Sequence, residues 1–262
     1  MATPSSLSFR DECHVEPWNT PRGTVLLVHG VGESHLAWLP WVPAFSRKYR
    51  VLIPDLPGCG DSPARNGVSK WSMEALADVL FEFVDRLAIT NVHLVGAKFG
   101  GTLALTAAAR HPNQAQTLTV LDVHVNSHNT TGTVSARDTI RREGLRKWAA
   151  DSMRARLGSG ASSRQLSWWT DFMASSDIEA TLALMGATDA LNLEPIMANI
   201  KAPTLMLTAR DSPVTSIDAA ERWASLVPRA SLQIIEGDAY HIAAAYPDLV
   251  ALRVRQFIDE NS

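Results

Sequence analysis

Residues His93 to Leu105 read HLVGAKFGGTLAL. The opening residues are an apolar strand, and the alanine-rich stretch from Gly100 to Arg110, ending before Pro112, reads as a helix. Gly96, Gly100 and Gly101 surround Lys98 between the two. The glycines flanking the centre predict a tight turn between the strand and the helix. Lys98 then projects from the tip of that bend.

Working outward, TVLLVHG (Thr24 to Gly30) and VLIPD (Val51 to Asp55) are short apolar runs ending in glycine-rich loops, as buried parallel strands do. Trp38, Trp41, Val42 and Phe45 recur between them at helical spacing, which predicts a joining helix and one βαβ unit. An amphipathic helix follows over Trp71 to Leu87, with Met73, Leu76, Val79, Leu80, Phe83 and Val84 on its apolar face. Further strands are expected at LTVLDV (Leu118 to Val123), APTLMLTARD and SLQIIEG, with helices over Ile217 to Leu226 and about Asp248 to Ile258. This alternation predicts an α/β fold with a doubly wound, mainly parallel sheet. It breaks between His128 and Asn192, where helical segments stand without a strand. Residues 1–127 and 192–262 are therefore expected to form one core, and 128–191 an inserted helical cap. Trp148, Trp168, Trp169, Phe172, Met173 and Met185 lie in that cap, as packing residues or as the lining of a substrate pocket.

Composition narrows the class of function. With 46% apolar and 19% charged residues in 262, the chain is globular. A formal net charge of −3 offers no basic surface for nucleic acid or anionic lipid, so a small-molecule substrate is the expected partner. No secretory leader and no membrane span is read, and Cys13 and Cys59 form no CxxC pair. A soluble, cytoplasmic monomer or homodimer with reduced thiols is expected. Neither a metal cluster nor a phosphate or dinucleotide loop is found: GAKFGG fits the bend better than GxGxxG.

Three motifs together carry a resemblance. Gly96-x-Lys98-x-Gly100 stands where a nucleophile elbow, G-x-S-x-G, would be; His29-Gly30-Val31-Gly32 follows the earlier strand; Asp55-Leu-Pro-Gly58-Cys-Gly60-Asp-Ser62 matches a DxxGxGxS loop. The whole chain resembles the α/β-hydrolase superfamily, and its capped layout is most similar to enol-lactone hydrolases and meta-cleavage-product (C–C) hydrolases. The resemblance implies an α/β-hydrolase fold, with Lys98 in the place of the nucleophilic serine. It also implies an oxyanion hole made by the amides of Val31 and Phe99, worth roughly 3 to 4 kcal/mol per donor in serine proteases.

The family's histidine falls in Gly237-Asp-Ala-Tyr240-His241, on Tyr240 by one alignment and His241 by another. His241 is preferred because imidazole exchanges protons near neutral pH. For the acid, Asp122 ends the strand after the bend and Asp211 follows the strand ending in Leu207; either also reads as a cap or turn residue. Gly30, His35, Trp148, Trp168, Trp169 and Tyr240 are the candidate pocket residues.

An acyl-lysine is an amide, too stable for an esterase cycle. Lys98 is instead read as a base or Schiff-base nucleophile acting on a small carbonyl compound, through C–C cleavage, decarboxylation or proton transfer. A protonated Lys98 holding a carboxylate or enolate is a further role. Hydrolysis of an enol-lactone or activated ester by His241-activated water is the second reading, and a catalytically inactive ligand-binding relative the third.

Overall fold

Seven strands form one sheet in the order β1-β3-β2-β4-β5-β6-β7: β1 Phe9–Glu12, β2 Thr24–Val28, β3 Arg50–Pro54, β4 Val92–Ala97, β5 Ala115–Leu121, β6 Thr204–Ala209 and β7 Ala230–Ile235. The computed structural model describes residues 7–65, 67–127, 131–189 and 191–262, side chains 131–135 excepted. The His128 boundary of the expected cap and the first six residues lie outside that description.

β2 to β6 are apolar over nearly their whole length and buried on both faces, as a sheet covered by helices on each side requires. All pairings from β3 through β7 are parallel. β1 is the exception. It runs antiparallel to β3, pairing Phe9 with Pro54 and Glu12 with Val51, and the sequence reading missed it. FRDE carries no apolar run, because an edge strand with mostly exposed side chains needs none and its charges keep the edge from pairing further.

Helices α1 Val42–Phe45, α2 Met73–Arg86 and α3 Phe99–Arg110 follow β2, β3 and β4. After β5 come α4 Thr131–Glu143, α5 Leu145–Leu157, α6 Ser163–Ala174, α7 Ile178–Gly186 and α8 Glu194–Met197; α9 Ile217–Ser225, α10 Ile242–Ala245 and α11 Pro247–Glu260 complete the order. The single helix expected between β2 and β3 is instead a 3-10 stretch, His35–Trp41, running into the one-turn α1. Pro40 and Pro43 withhold the amides a longer α-helix would need. Trp38, Trp41 and Phe45 are nonetheless buried, so the spacing had located the core face correctly.

The chain leaves β2 toward β3 on one side and returns to β4 on the other, so the order reverses between β2 and β4. Ligands of open α/β sheets bind at such a reversal, beyond the carboxyl ends of the strands. Val28, the last residue of β2, is in register with Gly96 near the end of β4. The loops His29 to Ser34 and Ala97 to Phe99 therefore leave the sheet side by side. Among the described residues no helix is long and apolar enough to cross a membrane.

Candidate active site

The bend after β4 is as tight as its glycines suggested. Lys98 has φ 53° and ψ −119°, a conformation side chains rarely adopt, and its N–H donates to the Leu121 carbonyl at 2.8 Å. A Cβ on Gly96 would lie 2.2 Å from the Gly100 carbonyl oxygen. The strand end and the first turn of α3 are thus in backbone contact, which turns the lysine side chain outward from the sheet.

Lys98 is nonetheless buried, at 6% exposure. Its Nζ donates to Oε1 of Glu33, and Oε2 of the same carboxylate accepts the Gly30 N–H at 3.0 Å. His241 Nε2 stands 3.3 Å from the shared Oε1 without the alignment of a hydrogen bond. Lys98 and His241 thus converge on the Glu33 carboxylate, the three residues coming from separate loops. Sequence reading missed Glu33. The signal was available: a buried ammonium at the bend demands a counter-charge, and Glu33 is the carboxylate that directly follows His29-Gly-Val-Gly32.

Burial pushes the Lys98 amine down to about 8, against the upward pull of Glu33 and with a smaller push from Arg156. For Glu33, burial works to raise the carboxyl, but Lys98, ahead of His241, holds it well below the usual range. Burial and the neighbouring ammonium together bring His241 to about 4, so its ring is neutral at pH 7. At neutral pH the cluster is an ammonium, a carboxylate and a neutral imidazole, with the amine within reach of deprotonation.

Above Lys98 is a cavity of about 300 Å³, lined by Lys98, Phe99, Trp148, Ser152, Arg156 and Tyr240 among others. Val31 and Phe99, whose amides the resemblance assigned to an oxyanion hole, both border it. Phe99 is the first residue of α3, where amides lack intrahelical acceptors and the helix dipole favours negative charge.

The other expected residues divide. Trp148 and Tyr240 line the cavity, as does Met185. Tyr240 and His241 were alternatives for one role and occupy different places: the phenol ring borders the cavity, whereas His241 is buried beside Glu33 with Trp169 5.2 Å away edge to face. Trp169 is thus a wall behind the imidazole. Trp168 is corrected: it is 48% exposed on the outer face of α6. His35 is corrected as well, since it is held by Asp55, through its N–H at 2.7 Å and its ring at 2.9 Å. Asp55 also accepts the Asp61 N–H at 3.0 Å. His35, Asp55 and Asp61 come within 4.8 Å of one another, but as a loop clamp whose carboxylate is already engaged. Gly30 serves the site through its amide rather than as pocket surface.

Of the two candidate acids, Asp211 is exposed, its backbone N–H tied to Gly237 at 3.0 Å, and it does not join the cluster. Asp122 is buried with φ 47°; its Oδ1 accepts from Thr208 at 2.6 Å, and Oδ2 has no partner. No hydrogen bond joins it to His241. Burial raises its pKa to about 7, against hydrogen bonding from Thr208. A carboxyl with a raised folded-state pKa binds more protons folded than unfolded, so its contribution to stability falls as pH rises from about 4 to 7. Asp122→Asn is expected to flatten that limb, gaining stability relative to the parent at pH 8 and not at pH 4. Urea unfolding at both pH values measures it.

The profile of the alpha/beta hydrolase fold family matches residues 23–246. The chain belongs to that family. This α/β hydrolase is 28% identical over 238 residues to a Stutzerimonas stutzeri protein named as carbamate hydrolase RutD, covering 86% of this chain and 88% of the other. It is 36% identical over 100 residues to the 2-hydroxy-6-oxo-2,4-heptadienoate hydrolase of Pseudomonas putida, 37% of this chain and 36% of that one. The solved enol-lactonase of Burkholderia xenovorans LB400 superposes with a TM-score of 0.88 at 21% identity, over 97% and 96% of the two chains.

Proposed function

We propose that this protein is an enzyme in which Lys98 takes the place of the family's nucleophilic serine and acts on a small carbonyl compound by C–C cleavage, decarboxylation or proton transfer, not by acyl-enzyme hydrolysis. The observation that carries the reading is the Lys98 amine lining the cavity, held in place by the buried Glu33 carboxylate. In its neutral form the amine can remove a proton from the carbon beside a carbonyl, leaving an enolate held by the Val31 and Phe99 amides. It can also add to the carbonyl carbon and lose water to form an imine, an electron sink for breaking the adjacent C–C bond. The amine gives its proton to solvent as pH passes about 8, while Glu33 stays ionised and, with His241 beside it, positions the amine.

Water activation by His241 is less favoured, because the imidazole is not part of the cavity lining and has no hydrogen bond to Asp122. Two measurements separate the readings. The kcat/KM of the protein on a turned-over oxo acid or enol-lactone is expected to rise with pH through about 8, as the amine loses its proton. A profile that falls through 8 overturns the neutral amine and leaves the ammonium as an anion holder. Borohydride added during turnover is expected to trap an adduct on Lys98 if the imine route operates; turnover without an adduct removes that route and leaves proton transfer.

A further inference from the structure

Arg156 lies on the inward face of α5, in line with Trp148 and Ser152 at successive four-residue steps. It is buried at 6% exposure and lines the same cavity as Lys98. Its guanidinium lies over two aromatic rings, 4.9 Å from the Trp148 centroid and 5.4 Å from that of Tyr240. Nε donates to Ser152 Oγ at 3.0 Å. Among the described residues no carboxylate pairs with it, and the two terminal nitrogens donate to none of them. The contrast with the other deeply buried cation is direct, because Lys98 has Glu33. Neither Asp nor Glu occurs in the described lining of the cavity.

Burying an arginine without a counter-ion is costly, and ring faces and one hydroxyl offset only part of that cost. The rings do hold the planar fork in one orientation, with its outer N–H groups free to bind two oxygens at once. The backbone ties this arginine to the rest of the site: the Arg156 carbonyl accepts the His241 N–H at 2.9 Å, and the Ala155 carbonyl that of Tyr240 at 3.2 Å. Around the two cations the lining is mostly apolar, with Val31, Phe99, Met185 and Val214. A carboxylate on an apolar body fits such a lining, and a bare inorganic anion leaves it unfilled.

We infer that Arg156 binds the carboxylate of the substrate, which makes the molecule a small carboxylic acid with an apolar body, its carboxylate on Arg156 and its carbonyl toward Lys98. The first half stands on the cavity alone; the orientation toward Lys98 rests on the function proposed above.

Binding without turnover tests it. Calorimetric titration of the protein with 4-oxopentanoate and with phenylacetate is expected to show saturable binding, and the corresponding neutral amides are expected to bind at least tenfold more weakly. Arg156→Met should lose at least tenfold in carboxylate affinity, Arg156→Lys should lose part of it, and Arg164→Met, at an exposed arginine of α6 outside the cavity lining, should retain it. Equal binding of amide and acid by the unaltered protein overturns the assignment even if Arg156→Met fails to fold. So does undiminished carboxylate binding in a folded Arg156→Met, inorganic phosphate competing as well as the carboxylates, or no binding across the straight-chain oxo acids of three to eight carbons. If carboxylates bind through Arg156 while no turnover or imine is found, the subsite stands and the Lys98 chemistry does not.

Discussion

Lys98→Met is expected to lower turnover about 100- to 10,000-fold, the range associated with removing a positioned acid or base, with the sheet and helices intact. It also changes stability in a diagnostic way. With the ammonium gone, the Glu33 carboxylate keeps only the Gly30 N–H as a hydrogen-bond donor, in a site with 1% of its surface exposed. Breaking a buried pair from one side costs about 3 to 5 kcal/mol. The pH dependence should reverse with it. In the parent, Glu33 is held below its usual pKa, so its contribution to stability is present above about 4.5 and is lost on acidification. In Lys98→Met the carboxyl is raised instead, and acidification stabilises the fold relative to pH 7. Glu33→Gln leaves the ammonium unpaired and moves Lys98 further below 8, costing a similar amount at pH 7. The double variant Lys98→Met, Glu33→Gln has neither orphaned charge, and should recover most of the loss in stability but none in activity. Denaturant unfolding of the four proteins at pH 5 and 7 measures the cycle. Additive single costs mean the pair is not coupled; parental turnover in Lys98→Met means the amine has no chemical part.

Gly100→Ala is expected to prevent folding, or to destabilise the protein by more than about 4 to 5 kcal/mol, the tail of single-substitution effects. A Cβ there would lie 2.2 Å from the Val28 carbonyl oxygen and 2.5 Å from that of His29. Both neighbours are backbone at the end of β2, held in a strand paired with β3 on one side and β4 on the other, so neither can give way alone. Any shift that relieved the clash would also move α3 and with it Phe99 and the bend at Lys98. Gly160→Ala is the control. Nothing lies within 4 Å of a Cβ at that position, and its effect should stay within about 0.5 kcal/mol. Soluble yield and thermal unfolding followed by circular dichroism compare the two; a Gly100→Ala protein melting like the parent contradicts the close packing.

The same contacts explain what could be read early. Buried parallel strands must be apolar on both faces, so TVLLV, RVLIP, VHLVGA and TLMLTA announce themselves without neighbours. The bend at Lys98 was legible because close backbone approach admits only glycine at Gly96 and Gly100, a demand written locally in the chain. β1 was not, since one charged edge strand carries no pattern of its own. The α5 stripe of Trp148, Ser152 and Arg156 did mark an arginine on a buried face, a signal visible only once the helix is accepted as inward-facing.

By itself the amino-acid order determined the strand-and-helix alternation, the family, and the amine at the tip of the turn, because each depends on residues within a few positions of one another. Which carboxylate meets that amine was decided by tertiary structure alone. Glu33 and Lys98 are 65 residues apart and touch because β2 and β4 are neighbours where the strand order reverses. Asp122 and Asp211 follow adjacent strands, and only packing leaves one buried and the other in water. Charge pairing across a fold depends on distance and exclusion of water, and neither is a property of the linear chain.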